Sequence, residues 1–106
     1  MKIENVTNKI LNGNSLEILK KFPNDSVDLI FADPPYNLQL SNKLLRPDQT
    51  KVNGVTDKWD NFDSFDEYDK ITLNWLKSCR KILKPNGSMW VIGSYHNIFR
   101  LGCMLQ

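Results

Sequence analysis

The stretch Ser26-Val27-Asp28-Leu29-Ile30-Phe31-Ala32-Asp33-Pro34-Pro35-Tyr36-Asn37 decides how this chain folds. Residues 27–32 are mostly apolar and are bounded by turn formers. Such a run predicts a strand buried on both faces of a parallel sheet. The strand must stop at Asp33-Pro34-Pro35, because two prolines offer no N–H to a sheet ladder.

Upstream, residues 7–11 read as a first short strand, and Asn12-Gly13 breaks it. Asn14-Ser15-Leu16-Glu17 then has the form of a helix start. Asn14 is the cap, and Glu17 stands three residues on, as in a capping box. Leu16, Leu19 and Lys20 follow at helical spacing, Phe22 closes the element, and Pro23-Asn24-Asp25 stops it. Downstream, residues 37–63 show no periodicity and contain Pro47, Gly54 and charges of both signs. A stretch this long without structure is uncommon in a compact domain and is usually functional, so it is expected as a loop over the site.

Ser64-Phe65-Asp66-Glu67 forms a second capping box. Tyr68, Ile71, Trp75, Leu76, Cys79, Ile82 and Leu83 then share one helical face, the strongest helix signal in the chain. Lys77, Arg80, Lys81 and Lys84 gather near its end, where they suit solvent and the negative pole of the helix dipole. Lys84-Pro85-Asn86-Gly87 reads as a turn. Residues 88–92 read as another buried strand, with Gly93-Ser94-Tyr95-His96 at its mouth. Ile98, Phe99, Leu101, Met104 and Leu105 open a last helix. The predicted order is β-α-β-loop-α-β-α. It describes an α/β fold: a partial Rossmann-like parallel sheet of about three strands with flanking helices and right-handed crossovers.

Composition agrees with one globular domain: 106 residues, 41% apolar and 25% charged. The net charge of +2 permits a nucleic-acid partner without arguing for one. Cys79 and Cys103 form no close pair and are expected as reduced thiols. His96 is the sole histidine, so a metal site of the usual ligand set is not expected. The chain opens on polar residues, including Glu4, and no apolar run approaches the roughly 18–20 residues of a membrane span. A reducing cytoplasm is the expected compartment.

In an open parallel sheet, ligands bind beyond the carboxyl ends of the strands. Asp33-Pro34-Pro35-Tyr36 lies at one such end and Gly93-Ser94-Tyr95-His96 at another, so the two are expected to line one pocket. Ionised Asp33 is purely an acceptor, and Pro34 keeps a carbonyl but has no N–H. Tyr36 adds an aromatic face. Two acceptors beside a stacking platform suit a planar group bearing NH₂, such as the exocyclic amine of adenine. That nitrogen is a poor nucleophile because its lone pair is delocalised into the ring. Gripping its two hydrogens favours pyramidal geometry and stabilises the positive charge that develops on attack. Alignment with an activated methyl donor supplies much of the remaining acceleration. A base inside a duplex is out of reach and must be flipped out.

Residues 26–37 resemble motif IV of the DNA amino-methyltransferases, and Tyr36 stands where that family points to adenine N6. The resemblance extends to Asn37-Leu38-Gln39-Leu40, Leu44-Leu45-Arg46-Pro47-Asp48, Trp59-Asp60, Trp75-Leu76, Leu83-Lys84-Pro85-Asn86-Gly87 and residues 90–100. Together these are similar to the β-group of these enzymes, and most like the cell-cycle-regulated type that as a family methylates GANTC.

The resemblance implies S-adenosylmethionine as cofactor and double-stranded DNA as partner. Asp33 and the Pro34 carbonyl would hold the amine, Pro35 would shape the turn, and Tyr36 would stack on the base. Gly13-Asn14 matches a place where the family commonly has Gly-Asp near the cofactor, so Asn14 and Asp33 are the cofactor-side candidates. Asn37, Lys43, Arg46, Trp59, Tyr95 and His96 are the DNA-side candidates, with Lys43 and Arg46 suited to phosphates. No general base is assigned, since the amine after attack is acidic enough to lose its proton to water or Asp33.

The family's glycine-rich cofactor motif and target-recognition region have no counterpart in these residues. The chain is therefore expected to be the N-terminal, catalytic-motif part of a methyltransferase domain, inactive alone and with exposed sheet edges prone to association. The rival readings are a non-catalytic remnant that at most binds DNA weakly, and a cytosine-N4 enzyme, whose members more often carry Ser in place of Asp33.

Overall fold

The computed structural model describes residues 1–37 and 64–106. Apart from Asn37, the loop expected over 37–63 lies outside the described residues. The described elements are helix α1 (Ser15–Leu19), strand β1 (Val27–Ala32), helix α2 (Phe65–Ile82), strand β2 (Leu83–Val91) and helix α3 (Ile98–Leu105). A short 3₁₀ turn, Ile3–Asn5, precedes them. β1 and β2 pair in parallel. The expected α/β architecture, a parallel sheet with flanking helices, is what the chain adopts.

The strand count differs from expectation. Residues 7–11 form no strand, and among the described residues the sheet has two strands. The reason is local. Thr7 N–H closes back onto the Ile3 carbonyl at 3.1 Å, and Asn8 takes a left-handed φ of 58°. Ile10 is left 98% exposed. Asn tolerates that conformation, and an extended run cannot pass through it.

α1 starts as predicted. Asn14 Oδ1 accepts the Leu16 N–H at 2.9 Å. Glu17 instead pairs with Lys20 at 3.3 Å. α2 is the frame of the molecule. Ser64 Oγ accepts the Glu67 N–H at 3.1 Å, the bond its capping box predicts. Tyr68, Thr72, Leu76, Cys79 and Ile82 form the buried stripe, and Leu101 of α3 is buried as well. Burying an aliphatic side chain of this size contributes about 1.5–3 kcal/mol. Asp69 of α2 meets Arg100 of α3 at 3.2 Å, and the Arg100 guanidinium lies 4.4 Å over the Phe65 ring.

The expected turn at Lys84-Pro85-Asn86-Gly87 is instead part of a strand. Val27 pairs with Leu83 and Leu29 with Ser88, so residues 84–87 bulge opposite Asp28 alone. Lys84 Nζ meets Asp28 Oδ1 at 2.8 Å across the irregularity. Gly87 is needed there for space. A Cβ on it would stand 2.7 Å from Leu83 Cδ1 and 3.0 Å from the Asp28 carbonyl oxygen.

The two-faced burial expected for β1 is also not what the structure has. Phe31 faces Trp90 across the ladder, yet Leu29, Phe31 and Trp90 are 58%, 67% and 66% exposed. Opposed residues of a parallel pair share a face, so one side of the sheet is apolar and open. Among the described residues, the helices leave that face exposed.

Candidate active site

The pairing brings the two strand mouths together. Ala32 pairs with Val91, and the Ile92 N–H donates to the Ala32 carbonyl at 2.9 Å. Asp33 and Gly93 therefore leave adjacent strands at the same, carboxyl end of the sheet, where ligands of such folds bind.

On the β1 side, Asp33 is exposed, Pro34, Pro35 and Tyr36 are half-buried, and Asn37 is buried. The turn closes on itself: Tyr36 Oη donates to Asp33 Oδ1 at 2.6 Å. This is a short, charge-assisted bond that orients the carboxylate and holds the ring near it. Asn37 follows with a left-handed φ of 55°. It was expected on the DNA side, and its side chain is buried at 4% exposure at the end of the turn.

The β2 side is a compact polar turn. Ser94 N–H donates to Asn97 Oδ1 at 2.7 Å, and His96 N–H donates to Ser94 Oγ at 3.2 Å. The Asn97 and Ile98 N–H groups return to the Ser94 carbonyl, which starts α3. Tyr95 is 81% exposed, and its ring centre lies 4.0 Å from that of His96. Of the other DNA-side candidates, Lys43, Arg46 and Trp59 lie outside the described residues.

The two turns are joined by a residue that sequence reading treated only as part of an apolar face. Tyr68, in the first turn of α2, donates its hydroxyl to the Pro35 carbonyl at 3.1 Å. Asn97 Nδ2 donates to that same hydroxyl at 2.8 Å. Tyr68 and Asn97 are 2% and 1% exposed. The one available sequence signal was a phenol at a helix position where an aliphatic residue would pack equally well.

Asn14 sits at the start of α1 with its side-chain oxygen committed to the cap. Asn14 and Asp33, the two cofactor-side candidates, are both exposed. Among the described residues, no group of three His, Cys, Asp or Glu side chains is arranged to hold a metal ion. No described helix is long and apolar enough to cross a membrane. A groove of about 740 Å³ is lined by residues of α2 and α3 such as Asp69, Leu73, Phe99, Arg100 and Met104, none of them from the two turns. It carries none of the chemistry of the strand mouths.

Residues 27–106 match the model of the DNA methylase family. The chain belongs to that family. Two curated relatives agree with the assignment. This DNA methylase chain is 52% identical over 104 residues to the Type II methyltransferase M.HinfI of Haemophilus influenzae, covering 98% of the chain and 29% of the relative. It is 36% identical over 98 residues to the Type II methyltransferase M2.MboI of Moraxella bovis, covering 92% of the chain and 35% of the relative. The chain thus spans about a third of the length of these relatives. Within the DNA methylase family match lie both strand mouths, the whole of α2, and the Tyr68–Asn97 contact.

Proposed function

We propose that these residues form the amine-gripping part of an S-adenosylmethionine-dependent DNA methyltransferase that acts on adenine N6. The observation that carries the reading is the turn after β1. It holds an exposed carboxylate and a half-buried phenol within one hydrogen bond, at the ligand-binding end of a parallel sheet.

The flipped adenine stacks on Tyr36. Asp33 and the Pro34 carbonyl each accept one hydrogen of the exocyclic amine. Pro34 has no N–H to compete, and the Asp33 carboxylate keeps acceptor capacity beside the bond from Tyr36 Oη. The grip favours pyramidal nitrogen, exposes its lone pair, and offsets positive charge as the nitrogen attacks. The released proton leaves to water or through Asp33. S-adenosylmethionine, when bound, supplies an electrophilic methyl group on a sulfonium. Among the described residues, Asn14 and Asp33 are the groups that would touch it. They suit hydrogen bonding at its rim, and the remainder of its pocket is assigned to residues other than these. DNA contact at the second strand mouth is assigned to Tyr95, whose exposure beside His96 supports that reading. The phosphate contacts are assigned to Lys43 and Arg46.

The full-length gene product should be incubated with labelled cofactor and duplexes that contain GANTC, the first target the resemblance suggests. Nucleoside mass spectrometry then identifies the methylated base. N6-methyladenine, lost in Asp33→Ala, is the expected product. N4-methylcytosine would move the assignment to the other amine. Transfer that is equal in wild type and Asp33→Ala would remove the proposed grip. The 106-residue chain alone is expected to give no turnover.

A further inference from the structure

We infer that Tyr68 and Asn97 are positioning residues for methyl transfer: through the Pro35 carbonyl they hold the turn that presents Asp33 and Tyr36. The inference rests on the reading of that turn given above and extends it to two buried residues that do not touch the substrate.

The hydrogen bonds run in one direction only. The Ser94 backbone N–H can only donate, so Asn97 Oδ1 is an acceptor and the orientation of the amide is set. Asn97 Nδ2 must then donate to the Tyr68 oxygen. The Tyr68 hydrogen is left to the Pro35 carbonyl, which can only accept. The direction of this chain follows from its two ends.

The turn needs an outside anchor. Pro34 and Pro35 have no N–H, so neither can pin the turn by a backbone donor. The anchor comes from α2 instead, 33 residues further along the chain. Fixing the Pro35 carbonyl fixes the peptide plane into Tyr36, and so the direction from which its ring reaches the Asp33 carboxylate. It also ties the turn after β1 to the turn after β2, so the two walls of the site move together.

Packing alone does not account for these residues. A buried hydroxyl and a buried amide are unfavourable unless paired, and an aliphatic pair would fill the same space without that demand. A fully satisfied buried polar network specifies one geometry. Gly93 leaves room beside it: a Cβ there would stand 2.9 Å from Ile98 Cδ1 and 3.1 Å from Asn97 Oδ1.

The test measures single-turnover methyl transfer by the full-length gene product, per folded molecule, for Tyr68→Phe, Asn97→Leu and the double variant, with Asp33→Ala as reference. Tyr68→Phe keeps the ring and removes only the hydroxyl. The expected result is a rate about 10–100-fold lower in each single variant, as a small misplacement of reacting groups produces. KM for DNA and for cofactor should stay within about twofold of wild type, because ground-state binding is not the role assigned. The double variant should be no slower than the slower single, because the bonds act as one unit.

Rates per folded molecule equal to wild type in both single variants, with Asp33→Ala inactive, would overturn the positioning role and leave the proposed grip standing. A fully active Asp33→Ala would overturn the grip, and this inference with it. Should both polar variants fail to fold, Asn97→Asp carries the same reading. It keeps an acceptor for the Ser94 N–H and removes the amide donor to Tyr68, and a wild-type rate in it would also overturn the role.

Discussion

Tyr36 both donates to Asp33, at 2.6 Å, and offers a half-buried ring at the edge of the turn. Substitution separates the two functions. Tyr36→Phe keeps the ring and should lower transfer by less than about tenfold, the scale of one lost hydrogen bond. Tyr36→Ala removes the ring and should weaken capture of the flipped base by about 1–3 kcal/mol, the scale of base–aromatic stacking. A 2-aminopurine probe at the target position reads that capture, and equal capture by both variants would contradict the stacking role. A second contrast is between the thiols. Burial pushes the Cys79 thiol up, while Cys103 is exposed. Iodoacetamide should therefore label Cys103 in the folded chain and spare Cys79 until unfolding. The folded state holds the Cys79 proton more tightly than the unfolded state. Stability is thus fully present below the ordinary thiol value and falls as pH rises from there toward the raised one. Urea midpoints at neutral and alkaline pH check the sign, with Cys79→Ala losing less than wild type across that interval.

At the scale of elements, β2 is the most sensitive piece. Gly87→Ala would place a Cβ 2.7 Å from Leu83 Cδ1 and 3.0 Å from the Asp28 carbonyl oxygen. Such overpacking should cost about 1–3 kcal/mol, read as a lower thermal midpoint. Ser64→Ala should cost about 1 kcal/mol through loss of the α2 cap. α2 was legible because its signals are local: a cap, a first-turn acid and an apolar face in one stretch of sequence. The start of β2 was not, because Pro85-Asn86-Gly87 has the composition of a turn. Its strand character comes from pairing with β1 and from Asp28 meeting Lys84, groups 56 positions apart. Residues 7–11 failed in the opposite way: their composition suited a strand, but Asn8 turns the backbone out of the extended region. In the candidate site, the tetrad 33–36 was legible because its chemistry is contiguous. Tyr68 and Asn97 were not legible as a pair, because 29 positions separate them and only folding brings them together.

At the scale of the whole molecule, the open apolar face of the sheet has a direct consequence. Leu29, Phe31 and Trp90 lie exposed on a parallel pair, a surface that such sheets ordinarily bury. The isolated 106-residue chain should therefore bind a hydrophobic dye and self-associate. Sedimentation velocity should show less association for Trp90→Lys, and an unchanged monomeric profile in both would contradict this. The proposed catalysis also belongs to this scale, since it requires base, cofactor and turn to meet in one molecule. Its most direct test is the single-turnover rate of methyl transfer by the full-length gene product carrying Asp33→Asn. That change keeps the shape of the side chain and replaces one acceptor oxygen with a donor NH₂ facing the amine. The account predicts a rate lower by about 10²–10³-fold, the scale of losing one transition-state hydrogen bond, with DNA affinity little changed. A rate equal to wild type would contradict it.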